Sequence, residues 1–168
     1  MAHPRVDQLR FARSEWQRGL AGLNDVDAGI RFLPMNSISW MVGHMAWHER
    51  LCWMRRARGL KIERSLDAFA TGRRASTPSL AMVQAAWERI VAEADPFLDA
   101  LTTPDLERPL ARDPRVNPPS AGSQLQYVTY HYWAHIGEVS AVRQMLEHPD
   151  LAEYVGDFPP EAEYRREG

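Results

Sequence analysis

The feature that most constrains this chain is its hydrophobic period. Apolar residues recur three and four positions apart in four long stretches, and no stretch alternates convincingly at period two. Such a chain folds as packed helices. The first stretch runs from about Val6 to Leu23, with Leu9, Ala12, Trp16 and Leu20 on one stripe, and Gly22 with the polar LNDVD ends it. The second runs from about Ser37 to Arg58, capped by Asn36 or Ser37 and closed by Gly59, with a stripe of Trp40, His44, Trp47, Leu51 and Met54. The third opens at Thr77-Pro78, carries Leu80, Val83, Trp87 and Ile90, and reaches about Leu101; Pro96 is expected to kink it or end it near Ala94. The fourth follows Ser120-Ala121-Gly122-Ser123 and runs to about Glu147, with Leu125, Val128, His131, Tyr132, His135, Val139, Val142 and Leu146 inward.

Two links are long: residues 59–76 carry no clear element, and residues 103–122 hold five prolines. A short first link places helix two antiparallel to helix one, and a long second link permits a crossover. The expectation is one all-α domain over residues 1–168, a four-helix bundle with a long crossover connection. The last twenty residues, with Pro159-Pro160, read as an extended tail along the bundle.

A chain of 168 residues buries an adequate core without staples. Its formal charge of -2 gives no general pull toward nucleic acid or an anionic membrane. No apolar run approaches the roughly 20 residues that span a bilayer, and MAHPRVDQLR has no apolar core of a signal peptide. Cys52 is the sole cysteine, which rules out an intramolecular disulfide and fits a reducing compartment. A cytoplasmic location is expected.

Histidines stand at 3, 44, 48, 131, 135 and 148, and two pairs, 44/48 and 131/135, lie four apart on expected helices. Residues so spaced share a helix face. Each pair is either a set of hydrogen-bonded core histidines or two legs of a metal site. Two imidazoles one turn apart supply two adjacent ligand positions from a rigid scaffold. A third from a facing helix makes a three-histidine face that leaves positions open, which is the catalytic pattern. Other metal chemistries fail on the residues present. HYWAH has Tyr132 where a zinc protease needs its glutamate, a second Glu-x-x-His set is missing, and one cysteine excludes zinc fingers and cysteine-ligated clusters.

NSISWMVGHMAWHER (36–50), followed about ninety residues later by YHYWAHIGEVSAVRQML (130–146), resembles the DinB-like (YfiT/DinB) superfamily of metal-binding four-helix bundles. The resemblance covers element order and linker lengths along essentially the whole chain. It implies a divalent metal, zinc or nickel, held by His44, His131 and His135, with Gly137 and Glu138 matching the family's trailing Gly-Gln/Glu. It also implies a homodimer acting on a small molecule. The implied activity is metal-dependent thiol S-transfer with a low-molecular-weight thiol, the alternatives being a metal-dependent hydrolase or a metal-binding stress protein without turnover.

Around that set, Glu138 either accepts the second ring N–H of a ligand histidine or acts as a base on bound water. His48 is a fourth ligand, a proton shuttle or a pocket wall, against the simpler expectation of a partly exposed histidine. Glu49 is either a carboxylate supporting a ligand or an ordinary solvated glutamate. Cys52 is expected to be buried and inert. The basic stretch 55–74 is a solvated loop or a seat for the carboxylates of a thiol cofactor.

Overall fold

The computed structural model describes residues 2–110, 119–154 and 163–166. The chain is all-α, with no strand among the described residues. Its helices are α1 (Pro4–Leu20), α2 (Asp25–Gly29), α3 (Ile38–Glu49), α4 (Leu80–Asp99), α5 (Thr103–Glu107) and α6 (Ala121–Met145). A wide-wound π-helical segment, Arg50–Ala57, continues α3, and a 3-10 turn, Arg64–Phe69, follows it. The four long helices fall where the periodicity puts them. The residues form two compact units: one joins 1–21 with 96–168, the other is 22–95.

In the first unit, His3 caps α1 by accepting from the Arg5 N–H at 3.1 Å, and Pro4 takes the first helical position, where a missing N–H costs nothing. Val6, Leu9, Ala12 and Trp16 form a stripe no more than 1% exposed. Against it lies α6, whose Leu125, Val128, Tyr132, Ile136 and Val139 are equally shut off. Trp16 meets Tyr132 edge-on with centroids 6.1 Å apart, and Phe11 meets Trp133 at 5.7 Å. Burying each such side chain is worth roughly 1.5–3 kcal/mol. At the far end Arg143 of α6 donates to the carbonyls of Gly19 (2.7 Å) and Ala21 (3.0 Å), satisfying groups the end of α1 leaves without helical partners.

Phe11 therefore pairs with Trp133 and the end of α1 pairs with Arg143, so α1 and α6 run in the same direction. Ser120 caps α6 through the Ser123 N–H (3.1 Å), and Thr102 and Asp105 form a reciprocal capping box on α5. Of the expected tail, Pro159-Pro160 lies outside the described residues. Arg165 returns to the start of α1, donating to the Ala2 carbonyl and pairing with Asp7.

In the second unit, α3 is apolar almost all round and buried from Ile38 through Ala46, as the central helix of a core must be. Ser37, one of two expected caps, accepts from the Trp40 N–H at 3.1 Å. The π-helical segment ends at Gly59, whose φ of +73° suits only glycine without strain.

One detail of α4 departs from expectation, and at Pro96 one of the two expected outcomes is excluded. The helix begins at Leu80 rather than at Thr77-Pro78, because Leu80 N–H donates to Asp25 Oδ1 of α2 at 2.5 Å. That cap comes from 55 residues away in sequence. Pro96 does not end the helix, which continues to Asp99 with Leu98 fully buried.

Candidate metal centre

His44 leaves α3 with its imidazole between two indoles. Trp40, one turn before, stacks on it with centroids 5.0 Å apart and planes 10° from parallel; Trp47, one turn after, stacks at 5.3 Å and 27°. The ring is 5% exposed. Its Nδ1 lies 2.8 Å from the carbonyl oxygen of Phe69. A carbonyl only accepts, so Nδ1 carries the proton and the lone pair is on Nε2.

On α6, Nε2 of His131 and Nε2 of His135 are 3.0 Å apart. Zinc-like bonds of 2.0–2.1 Å at right to tetrahedral angles put adjacent ligand nitrogens about 2.9–3.4 Å apart, so this pair fits two sites on one ion. His135 Nδ1 lies 2.6 Å from Glu138 Oε2, and the carboxylate fixes the proton on Nδ1 as Phe69 does for His44. Tyr127 stacks on His131 at 5.8 Å, again an aromatic one turn before the histidine.

Ligand atoms of His44, His131 and His135 all lie within 4.8 Å of one another, a group that could hold a metal ion. The donor set passes the chemical test as well. Three neutral imidazoles suit zinc, copper and nickel, and histidine ligands normally hand their second ring proton to a carbonyl or carboxylate.

A family model described as the DinB superfamily matches residues 8–139, a stretch that includes all three histidines. The chain belongs to the DinB superfamily. No curated protein matches the sequence. The all-α order of long helices and the three-histidine group both fit a metal-binding DinB-like protein.

The residues beside this DinB-type triad stand differently from what the sequence alone suggests. His48 is not partly exposed but 4% exposed, and its Nε2 faces Cys52 Sγ at 3.7 Å instead of joining the metal-competent group found among the described residues. Helix α3 is buried nearly all round, so a residue four beyond His44 has no outer face to occupy. Glu49 is not solvated; it is fully buried. Burial pushes the Cys52 thiol up to about 12, against a lowering by Arg56 and with a smaller raising by Glu49. Cys52 is thus inert at neutral pH, as expected.

In the basic stretch, Asp67 is held by Arg50, Glu63 by Arg89, and Arg58 by Glu93. The Phe69 carbonyl is the partner that sequence reading misses, because a backbone oxygen on an unrecognised turn leaves no residue-type signal. The flanking aromatics did carry one, a ring four residues before both His44 and His131.

Proposed function

We propose that this DinB-superfamily protein binds one divalent ion, zinc or nickel, through His44, His131 and His135. We further propose that it catalyses transfer of a low-molecular-weight thiol to a small electrophile. The observation that carries the reading is the three-imidazole group with two of its rings fixed by Nδ1 acceptors. Three protein ligands leave coordination positions open to a small molecule. A divalent ion held there supplies Lewis acidity, which makes a thiol a thiolate at neutral pH.

The chain's own residues do the rest. Phe69 and Glu138 keep both Nδ1 protons in place, so the two imidazoles offer Nε2 lone pairs without a proton to displace. Trp40 and Trp47 fix the plane of His44 and hold water off its faces. Glu138 is engaged by His135 and is therefore poorly placed as a base. A thiol gives up its proton to a metal more readily than water does, since its ordinary pKa is already far lower, and this favours thiol transfer over hydrolysis.

A homodimer also belongs to this reading. Tyr127, Tyr130 and Met145 are 57%, 64% and 46% exposed on α6, more large apolar surface than a lone helix usually leaves open. No described helix is long and apolar enough to cross a membrane, and we place the protein in the cytoplasm. The test is elemental analysis of purified protein, then assay of the metal-restored protein with glutathione and a chloronitroaromatic electrophile. Thioether formation that needs the metal and is lost in His131→Ala supports the proposal. Metal binding with no thiol chemistry and with ester hydrolysis instead would transfer it to the hydrolase alternative.

A further inference from the structure

The sequence assigns no element to the link after α3, yet that link delivers the carbonyl that orients His44. The 3-10 turn Arg64–Phe69 is pinned to the helix carrying the histidine. Arg50 donates from Nη1 to the Ile62 carbonyl, just before the turn, at 3.0 Å and pairs through Nη2 with Asp67 in its middle. The Arg50 side chain is 5% exposed while Asp67 is 52% exposed, so the arginine gives up water to reach an acid that keeps it. A buried guanidinium is costly unless it is paired and hydrogen-bonded, and Arg50 finds those partners in and just before the turn.

At the end of the turn the Phe69 ring lies on Gly43. A Cβ there would come within 2.7 Å of the ring, so only glycine admits this contact. The last carbonyls of a helical turn have no partner within it. Phe69 spends its own on His44 Nδ1.

We infer that Arg50 is a positioning residue for His44, setting its tautomer through the Arg64–Phe69 turn, with Gly43 as the turn's second anchor. Free histidine prefers its proton on Nε2, the atom that must be bare to bind an ion. An acceptor held at Nδ1 reverses that preference, and the acceptor stays only while the turn is tied down. The inference rests on the metal-binding reading for its consequence in affinity; the effect on tautomer does not.

The experiment compares wild type with Arg50→Met, Arg50→Lys and Gly43→Ala, with Arg58→Met as control because the Arg58–Glu93 pair ties down no part of the turn. Two quantities are read. One is the His44 tautomer in metal-free protein at alkaline pH, from ring nitrogen chemical shifts. The other is zinc affinity by competition with a chelating dye.

Wild type should hold the Nδ1–H form. Arg50→Met and Gly43→Ala should gain the Nε2–H form and bind zinc about 10–100-fold more weakly, the usual loss when a ligand's supporting partner goes. Arg50→Lys should recover part of both, and Arg58→Met should change neither. A folded Arg50→Met protein with wild-type tautomer and affinity overturns the inference. Should Arg50→Met not fold, Asp67→Asn, which alters the exposed half of the pair, decides by the same readouts. Wild-type protein that takes up no zinc would remove the metal reading, and the tautomer comparison alone would then uphold or overturn the role of Arg50.

Discussion

His135 and Glu138 stand one turn apart on α6, and the carboxylate accepts a hydrogen bond from the imidazole Nδ1–H at 2.6 Å. The bond costs the fold little, because Glu138 is half exposed, and its effect belongs to the site. Glu138→Ala should leave the stability within about 1 kcal/mol of wild type and weaken metal binding about 10–100-fold. Glu138→Gln still offers an amide oxygen and should recover most of that loss in a calorimetric titration. Equal affinity in all three proteins would deny the carboxylate its orienting role.

The ligands and the core are separate sets of side chains, and this predicts how metal and fold are linked. Trp16, Trp53, Tyr132, Leu98 and their neighbours are buried without help from any ion. Chelation should therefore preserve the helical circular dichroism. It should lower stability only by the mass-action amount, a few kcal/mol at saturating metal. His131→Ala should fold and bind no metal. Global unfolding on chelation would make the ion a staple and contradict the open-site reading.

Cys52 gives a pH dependence whose sign follows from its burial. Its thiol titrates at 9.0 in an ordinary setting and is pushed up to about 12 in the folded chain, chiefly by burial. The folded state thus holds its proton more firmly than the unfolded state. The stabilisation is fully present below pH 9.0 and is lost as pH rises through that window toward about 12. Urea titrations across the window should show falling stability, with a shallower slope in Cys52→Ala. Iodoacetamide should leave folded protein unlabelled at neutral pH.

Gly137 lies on the exposed side of α6, and a Cβ built there meets nothing within 4 Å. Gly137→Ala should stabilise the helix by about 0.5–1 kcal/mol, roughly 1–4 °C in a chain of this size. A gain in melting temperature with a loss of thiol chemistry or of dimer would reveal that a ligand or second copy approaches the backbone there.

The sequence showed most where one period ran through many residues. The four long helices and the histidine pairs 44/48 and 131/135 were legible because helix spacing alone puts their residues on common faces, and Ser37 was legible as a capping residue type; His44, His131 and His135 as one set came from the resemblance to the DinB-like family. What escaped it was local or distant in origin. The Arg64–Phe69 turn is too short to carry a period. The start of α4 is set by Asp25, far away in sequence, so Thr77-Pro78 misled. His48 looked half exposed because a single helix reading assumes a wet face, and α3 has almost none. Nothing in the residue types could reveal that Phe69 matters to the site through its carbonyl rather than its ring.

The near-parallel stack of Trp40 on His44 makes the site its own optical probe. An indole in face contact with an imidazole exchanges excited-state energy and charge with whatever that imidazole carries. A proton or a paramagnetic ion on the ring quenches it. Nickel or copper arriving at Nε2 would darken Trp40 and Trp47, which stack on His44, more than Trp16, whose ring meets Tyr132 edge-on. Occupancy could then be followed in unlabelled protein, at millisecond resolution, from its intrinsic emission.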